Sequence, residues 1–327
     1  MIDVAIIGYG KMGKIRHGAI KKNKKFNLRF IYDPLITIKG KLKVKEYKTI
    51  LEDKQIKAVF ICLPNYLIKK FTILALKHNK HIFCEKPPAM NSKEMREIMN
   101  IEKKNKNILM YGFNHREHES IKKIKEITVK NKYGRLLWMR GRYGKSVDAQ
   151  FYKDWRSKKK FAGGGILLDQ GIHMVDIMMH LSDGFNKILS SVTNNYWDLD
   201  IEDNVFAIFE NTKNKISASL HSTITQWRHL FSLEVFYERG YIVLNGLKTS
   251  SNSYGKEILT IAQNRSKPPE ANWTKQKKII YKYDKSWENE LINFYKAIKY
   301  NKKYSANSQA AYSLMQTIDG IYKFKKK

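Results

Sequence analysis

Asp169 and His173 stand four residues apart in the stretch "GGGILLDQGIHMVD" (163–176), set among Ile, Leu, Met and Val. On a helix that spacing puts a carboxylate and an imidazole on one face. Two readings stay open for the pair: buried groups that satisfy each other, or a proton-handling couple aimed at a bound molecule. A carboxylate beside an imidazole fixes its tautomer and favours its protonated form. Asp176, one turn on, reads as structural, and Gly163–Gly165 as a flexible lead-in that lets the first turn approach a ligand. Lys86 is a third chemical group. It ends the apolar run "KHIFCEKP" and precedes two prolines, which stop a strand. Its ammonium could hold a substrate oxygen or share its proton; as an alternative it is a strand-end lysine in water or paired with Glu85.

The elements that must position these groups begin with "VAIIGYGKMGKIRHGAIKKN", a buried strand, a glycine turn and a helix. Gly8, Gly10 and Gly13, with Lys11 and Met12 between them, form G-x-G-x-x-G at a strand–helix junction. Gly8 permits the tight turn, Gly10 lets backbone approach a pyrophosphate, and Gly13 lets the helix pack close to the strand. The helix N-terminus offers free N–H groups to phosphate. The second strand, "NLRFIYD", ends at Asp33, placed to accept from ribose hydroxyls. Asp33 would repel a 2′-phosphate and Pro34 supplies no cation, so NAD is expected over NADP, with Lys39 and Lys41 nearby.

Strand–helix alternation continues through 57–64, 66–79, 80–87 and "NILMYGFN", which predicts a parallel doubly wound sheet. Ligands bind beyond the carboxyl ends of such strands, where Leu63–Pro64–Asn65, Glu85–Lys86 and Asn114 fall.

At 327 residues, two domains are expected, 1–118 and 119–327. From about 119 the pattern turns to strands, "RLLWMRGRYG" to "GYIVLNG", as in an antiparallel sheet with one covered face, followed by amphipathic helices near 286–301 and 307–324. The other face, rich in Phe, Tyr and Trp, is a candidate dimer or tetramer surface. No apolar stretch reaches the roughly 20 residues a membrane span needs. The opening "IDVAII" reads as a strand rather than a secretory leader, and Cys62 and Cys84 read as reduced buried thiols, so a cytoplasmic location is expected. The net charge of +32 invites a nucleic-acid partner, but Lys far outnumbers Arg and is scattered along the chain. That spread reads as compositional bias, with no dedicated nucleic-acid role and a field that favours anionic cofactors and substrates. The end "KFKKK" reads as a frayed tail.

Taken in order, "GYGKMG", "AVFICLPNYLIKKFTILALKHNKHIFCEKPPA", "YGFNHR", "YKDWR" and "GGGILLDQGIHMVD" make the chain resemble the Gfo/Idh/MocA family, the glucose–fructose oxidoreductase and inositol 2-dehydrogenase-like enzymes. The resemblance implies an α/β fold: an N-terminal Rossmann domain, then a C-terminal α/β domain with a large, mostly antiparallel open sheet that usually forms the oligomer interface. It implies a catalytic cluster of Lys86, Asp169 and His173, with no metal. It also places Asn65, Glu85 and Asn114 near the nicotinamide and Trp155–Arg156 beside the cleft. Lys86 and His173 are then expected to meet across the nicotinamide ring. The implied reaction is hydride transfer between a sugar or polyol and NAD. Transient oxidation by retained NAD, giving net epimerisation or elimination, is one alternative; a silent dinucleotide-binding sensor is another. For the substrate, the basic field and Arg156 point to an anionic sugar, phosphorylated or nucleotide-linked, of a surface-polysaccharide pathway. His221, with Gln226, Trp227, Arg228 and His229 in "HSTITQWRH", is the expected specificity segment.

Overall fold

The computed structural model describes residues 1–249, 251–263 and 276–323. The last four residues of the expected frayed tail lie outside them. The chain packs as two units: Met1–Asn114, Lys160–Gly163 and Trp287–Gln316 in the first, His115–Lys159, Gly164–Ser286 and Thr317–Lys327 in the second. The sequence-based boundary at 118/119 leaves both terminal helices in the second domain, whereas the packing takes residues 287–316 back to the first unit.

In the first unit, five strands alternate with helices: β1 Ile2–Ile7, α1 Lys11–Lys22, β2 Phe26–Tyr32, α2 Tyr47–Glu52, β3 Ala58–Ile61, α3 Asn65–Lys77, β4 His81–Glu85, α4 Ser92–Glu102 and β5 Leu109–Gly112. The sheet is parallel, in the order β2-β1-β3-β4-β5. An isolated parallel bridge, Ile31 to Lys43, sits beyond β2 where a further outer strand would lie. Strands β3 and β5 are buried along their whole length, as expected when helices cover both faces. One face carries Phe26, Phe60 and Phe83, and Phe294 from near the end of the chain packs on all three, with ring centroids 6.1, 5.6 and 5.6 Å away. Burying those rings is why residues 287–316 belong to this unit.

The second unit contains α5 Glu119–Val129, β6 Leu136–Ser146 and, after the four-residue α6 Lys159–Ala162 of the chain, α7 Ile172–Ser182 and strands β7 Lys187–Thr193, β8 Asn204–Asn211, β9 Ile216–Thr223, β10 Thr225–Tyr237, β11 Gly240–Leu247, β12 Tyr254–Gln263 and β13 Lys277–Tyr281. Helices α8 Ser286–Tyr300 and α9 Ser308–Lys323 close the chain. The eight strands are ordered β13-β12-β11-β10-β6-β9-β8-β7, antiparallel except for the parallel β6–β9 pair. Helix α5 replaces the strand character expected from residue 119; its Ile121, Ile124 and Ile127 recur every third residue and are buried. Alternation divides the sheet into faces. Met139, Tyr143, Leu220, Val205 and Phe209 are buried on one. A Cβ on Gly141 would meet Met174 and Met178 at 2.5 Å, so α7 lies on that covered face.

Near the end of α7, burial and then Arg116 and Lys125 push the His180 imidazole from 6.5 down to about 3. The folded state thus favours neutral His180, a contribution present above pH 6.5 and lost as pH falls toward 3. We expect the denaturation midpoint to drop over that window, and His180→Gln to flatten the drop by a few kcal/mol. An unchanged pH slope in the variant would remove this assignment.

Candidate active site

The glycine turn separates what the fold needs from what a ligand needs. Gly8 has φ +97°, and a Cβ there would lie 2.5 Å from Cys62 O. A Cβ on Gly13 would lie 2.1 Å from Gly8 O. Both glycines are therefore required by packing. Gly10, by contrast, has φ −67° and nothing within 4 Å of its notional Cβ. The fold itself would accept a side chain there, and the open space beside the N-terminus of α1 suits a pyrophosphate. Lys11 is exposed and Met12 half-buried at this end. The Asp33 carboxylate braces the turn: Oδ2 accepts from Tyr9 N–H, while Oδ1 accepts from Leu35 and Ile36 N–H at 2.7 and 2.9 Å.

The other expected cofactor residues of this unit divide by what their side chains do. Leu63 is buried and Pro64 caps α3. The Asn65 amide donates to Ala162 O at 2.7 Å. Glu85 accepts from Arg16 Nε at 2.6 Å, so its carboxylate turns into the core. Arg16 is fully buried; its Nη2 also donates to Glu290 at 2.7 Å, and its guanidinium lies 4.2 Å from the Phe83 ring and 4.8 Å from Trp287. Burial would lower its pKa, but Glu290 and Glu85 outweigh burial and hold it above the ordinary value. Lys86 is half-buried directly after β4, and Asn114 is buried at the first residue past Phe113.

In the second unit, Asp169 and His173 occupy one continuous helical segment, π-helical over Leu167–Gly171 and α-helical from Ile172. A π turn is a common local adjustment at functional sites. Two cations reach Asp169: Lys145 Nζ at 3.2 Å from Oδ2 and Arg156 Nε at 3.9 Å from Oδ1. Arg156 also lies 3.3 Å from Asp154 and its guanidinium 4.4 Å from the ring of its neighbour Trp155. His173 is buried and its ring stacks on that of His115, centroids 3.9 Å apart and planes 18° from parallel. Asp176 receives a two-pronged bond from the buried Arg116.

Two expectations change. Gly164 and Gly165 are not a flexible lead-in: a Cβ on either would lie about 2 Å from Tyr322 Oη or Glu202 O, respectively. Instead, the buried Glu202 carboxylate accepts from Gly165 N–H, Leu167 N–H and Tyr322 O–H at 2.8, 3.0 and 2.8 Å, fixing the start of the segment that carries Asp169. Burial pushes that carboxyl up, against these hydrogen bonds. His221, expected at the substrate, lies on the opposite face of the sheet from α7. It stacks on Phe206 at 4.0 Å and bonds Asn204 Oδ1 at 3.0 Å. Burial, then Arg142, lowers its pKa. The parity was readable: Leu220 and Ser222 flank it and face the core. Trp227 is almost fully exposed. Arg16, His115, Lys145 and Glu202 were not anticipated. "YGFNHR" and "RYGK" carried two of them in view, but only long-range packing reveals their partners.

Residues 2–113 match the model of an oxidoreductase family with an NAD-binding Rossmann fold (GFO_IDH_MocA), and 121–243 match the GFO/IDH/MocA C-terminal domain. Levoglucosan dehydrogenase of Pseudarthrobacter phenanthrenivorans is 31% identical over 145 residues, 44% of this chain and 37% of that protein. Myo-inositol 2-dehydrogenase of Thermotoga maritima is 29% identical over 188 residues, 54% of each chain. The chain thus aligns with about a third to a half of the length of these relatives. A solved levoglucosan dehydrogenase in complex with NADH and L-sorbose shares the fold, with TM-score 0.85, 20% identity, and coverage of 98% of this chain and 96% of that one.

Proposed function

Because the chain belongs to the Gfo/Idh/MocA oxidoreductase family, we propose that it oxidises a hydroxyl of a sugar or polyol with NAD. The observation that carries this reading is the vacant side-chain space at Gly10, a glycine that packing does not require beside a helix N-terminus. The turn from Gly8 to Gly13 would hold the pyrophosphate and Asp33 the adenosine ribose. Leu63–Asn65, Lys86 and Asn114 would flank the nicotinamide end. When bound, NAD supplies the acceptor for the hydride leaving the sugar carbon. Lys86 Nζ holds the reacting oxygen and stabilises its negative charge, while the His173 imidazole takes its proton. Asp169, within ion-pair distance of Lys145 and Arg156, favours the imidazolium that results.

For the substrate, the activities named for relatives, on levoglucosan, D-glucoside and myo-inositol, support a sugar or polyol. The half-exposed Arg156 guanidinium and the +32 charge support an anionic one, phosphorylated or nucleotide-linked, as in surface-polysaccharide synthesis. Nicotinamide absorbance with NAD or NADP and neutral, phosphorylated and nucleotide-linked sugars tests both levels. Turnover of neutral polyols alone would remove the anionic version, and no turnover with any sugar would remove the enzyme.

The open face of the eight-stranded sheet carries Phe206, Ile208, Leu189 and Ile280, each about half exposed or more, and the stacked rings of Trp138, Phe236 and Tyr241. A second copy of the chain suits such a surface. Light scattering is expected to give a dimer or tetramer that Phe206→Glu with Ile208→Glu converts to monomer. A monomeric wild type would remove the assignment.

A further inference from the structure

His115 lies outside the mechanism above, yet its ring covers that of His173. The two imidazoles are at stacking distance, 3.9 Å between centroids, and each residue is only 5% exposed. His115 is itself held: its Nε2 and Tyr143 Oη are hydrogen-bonded at 2.9 Å, and Phe231 and His118 pack at 6.2 and 5.7 Å. Tyr143 is wedged edge-on between Phe231 and Tyr254, with ring distances of 5.2 Å to both. Burial, then Tyr254 and Asp169, raises its phenol well above the ordinary value, so it offers His115 a hydrogen bond and no charge.

We propose that His115 is a positioning residue that fixes the plane of His173 and makes the two rings a pair that holds one proton. Two cationic rings face to face, with little water between them, repel strongly, so a proton on either disfavours one on the other. The charged groups around the pair are themselves matched. From the same turn, Arg116 is committed to Asp176 and His118 to Glu257 at 3.1 Å. From β6, Lys145 is committed to Asp169. In the catalytic setting, which rests on the reading of His173 as proton acceptor, His115 must be neutral for His173 to accept. A proton resting on His115 switches the acceptor off, so acid lowers the rate through the pair.

The test needs no substrate. The full chain is labelled at histidine and its imidazole resonances are followed by NMR against pH in wild type, His115→Phe and His173→Gln. Resonances of His17 and His78 report that each variant is folded. The expected result is two protonation steps more than about one pH unit apart. Replacing the ring that protonates first should raise the midpoint of the other by more than about one unit. Equal midpoints that neither substitution moves overturn the proposal, as does a pair that takes up no proton while the protein stays folded. Coupling found in a protein that oxidises no sugar leaves this inference standing and removes only the enzymatic reading.

Discussion

Lys86→Ala and His173→Ala are each expected to lower sugar-dependent NAD reduction by about 10²–10⁴-fold while the protein still binds NAD. The two losses have different causes. In the proposed mechanism, loss of Lys86 leaves no ammonium to stabilise the negative charge the oxygen gains as its proton departs and before the hydride leaves, so kcat falls more than KM rises. Without His173, the proton has no acceptor at the reacting oxygen, and the pH dependence attributed to the His115–His173 pair should vanish with the rate. His173→Gln preserves more of the ring's volume and separates loss of the base from loss of packing. NAD titration by protein fluorescence provides the control, since the Gly8–Gly13 turn and Asp33 are untouched. Wild-type rates in either variant would reject that residue's role. Loss of NAD affinity equal to the loss of rate would move Lys86 from chemistry to cofactor binding.

Arg16→Met is expected to be the most destabilising single change in the first unit, by about 3–5 kcal/mol. The guanidinium is wholly buried between two aromatic rings and bonded to two carboxylates, Glu85 on β4 and Glu290 on α8. A methionine fills much of the volume but leaves two buried carboxylates with no cation. Little room exists for rearrangement: a Cβ on Gly112 would lie 2.9 Å from Glu85 Oε2 and 3.3 Å from Arg16 Nη2. The loss should be largely recovered when Glu85→Gln and Glu290→Gln accompany Arg16→Met. Denaturant midpoints for the three proteins measure this. A loss under about 1 kcal/mol would show that the triad contributes little beyond replaceable packing.

The sequence displayed local patterns well and long-range commitments poorly. The five parallel strands, the glycine turn and the DQGIH segment were legible because each is a short periodic or compositional signal within one stretch. Strands β12 and β13 were not, since "YGKEILTIAQ" and "KKIIY" mix lysine into weak alternation. Arg16 sits in a lysine-rich helix where no local pattern marks it as buried; its partner Glu290 lies 274 positions away. The amphipathic pattern of α8 announced an apolar face without saying what would cover it. His115 and Lys145 became visible only once a turn and a strand were laid beside α7, whereas the outward parity of His221 could have been counted from its neighbours.

The late return of the chain to its first unit bears on biosynthesis. When the ribosome has released the opening 114 residues, the nascent dinucleotide fold still lacks the Phe294 ring that seals its aromatic cluster and the carboxylate of Glu290. Residues 287–316 must emerge before that unit can close, so its folding waits on synthesis of the strands between rather than following the order in which the halves are made.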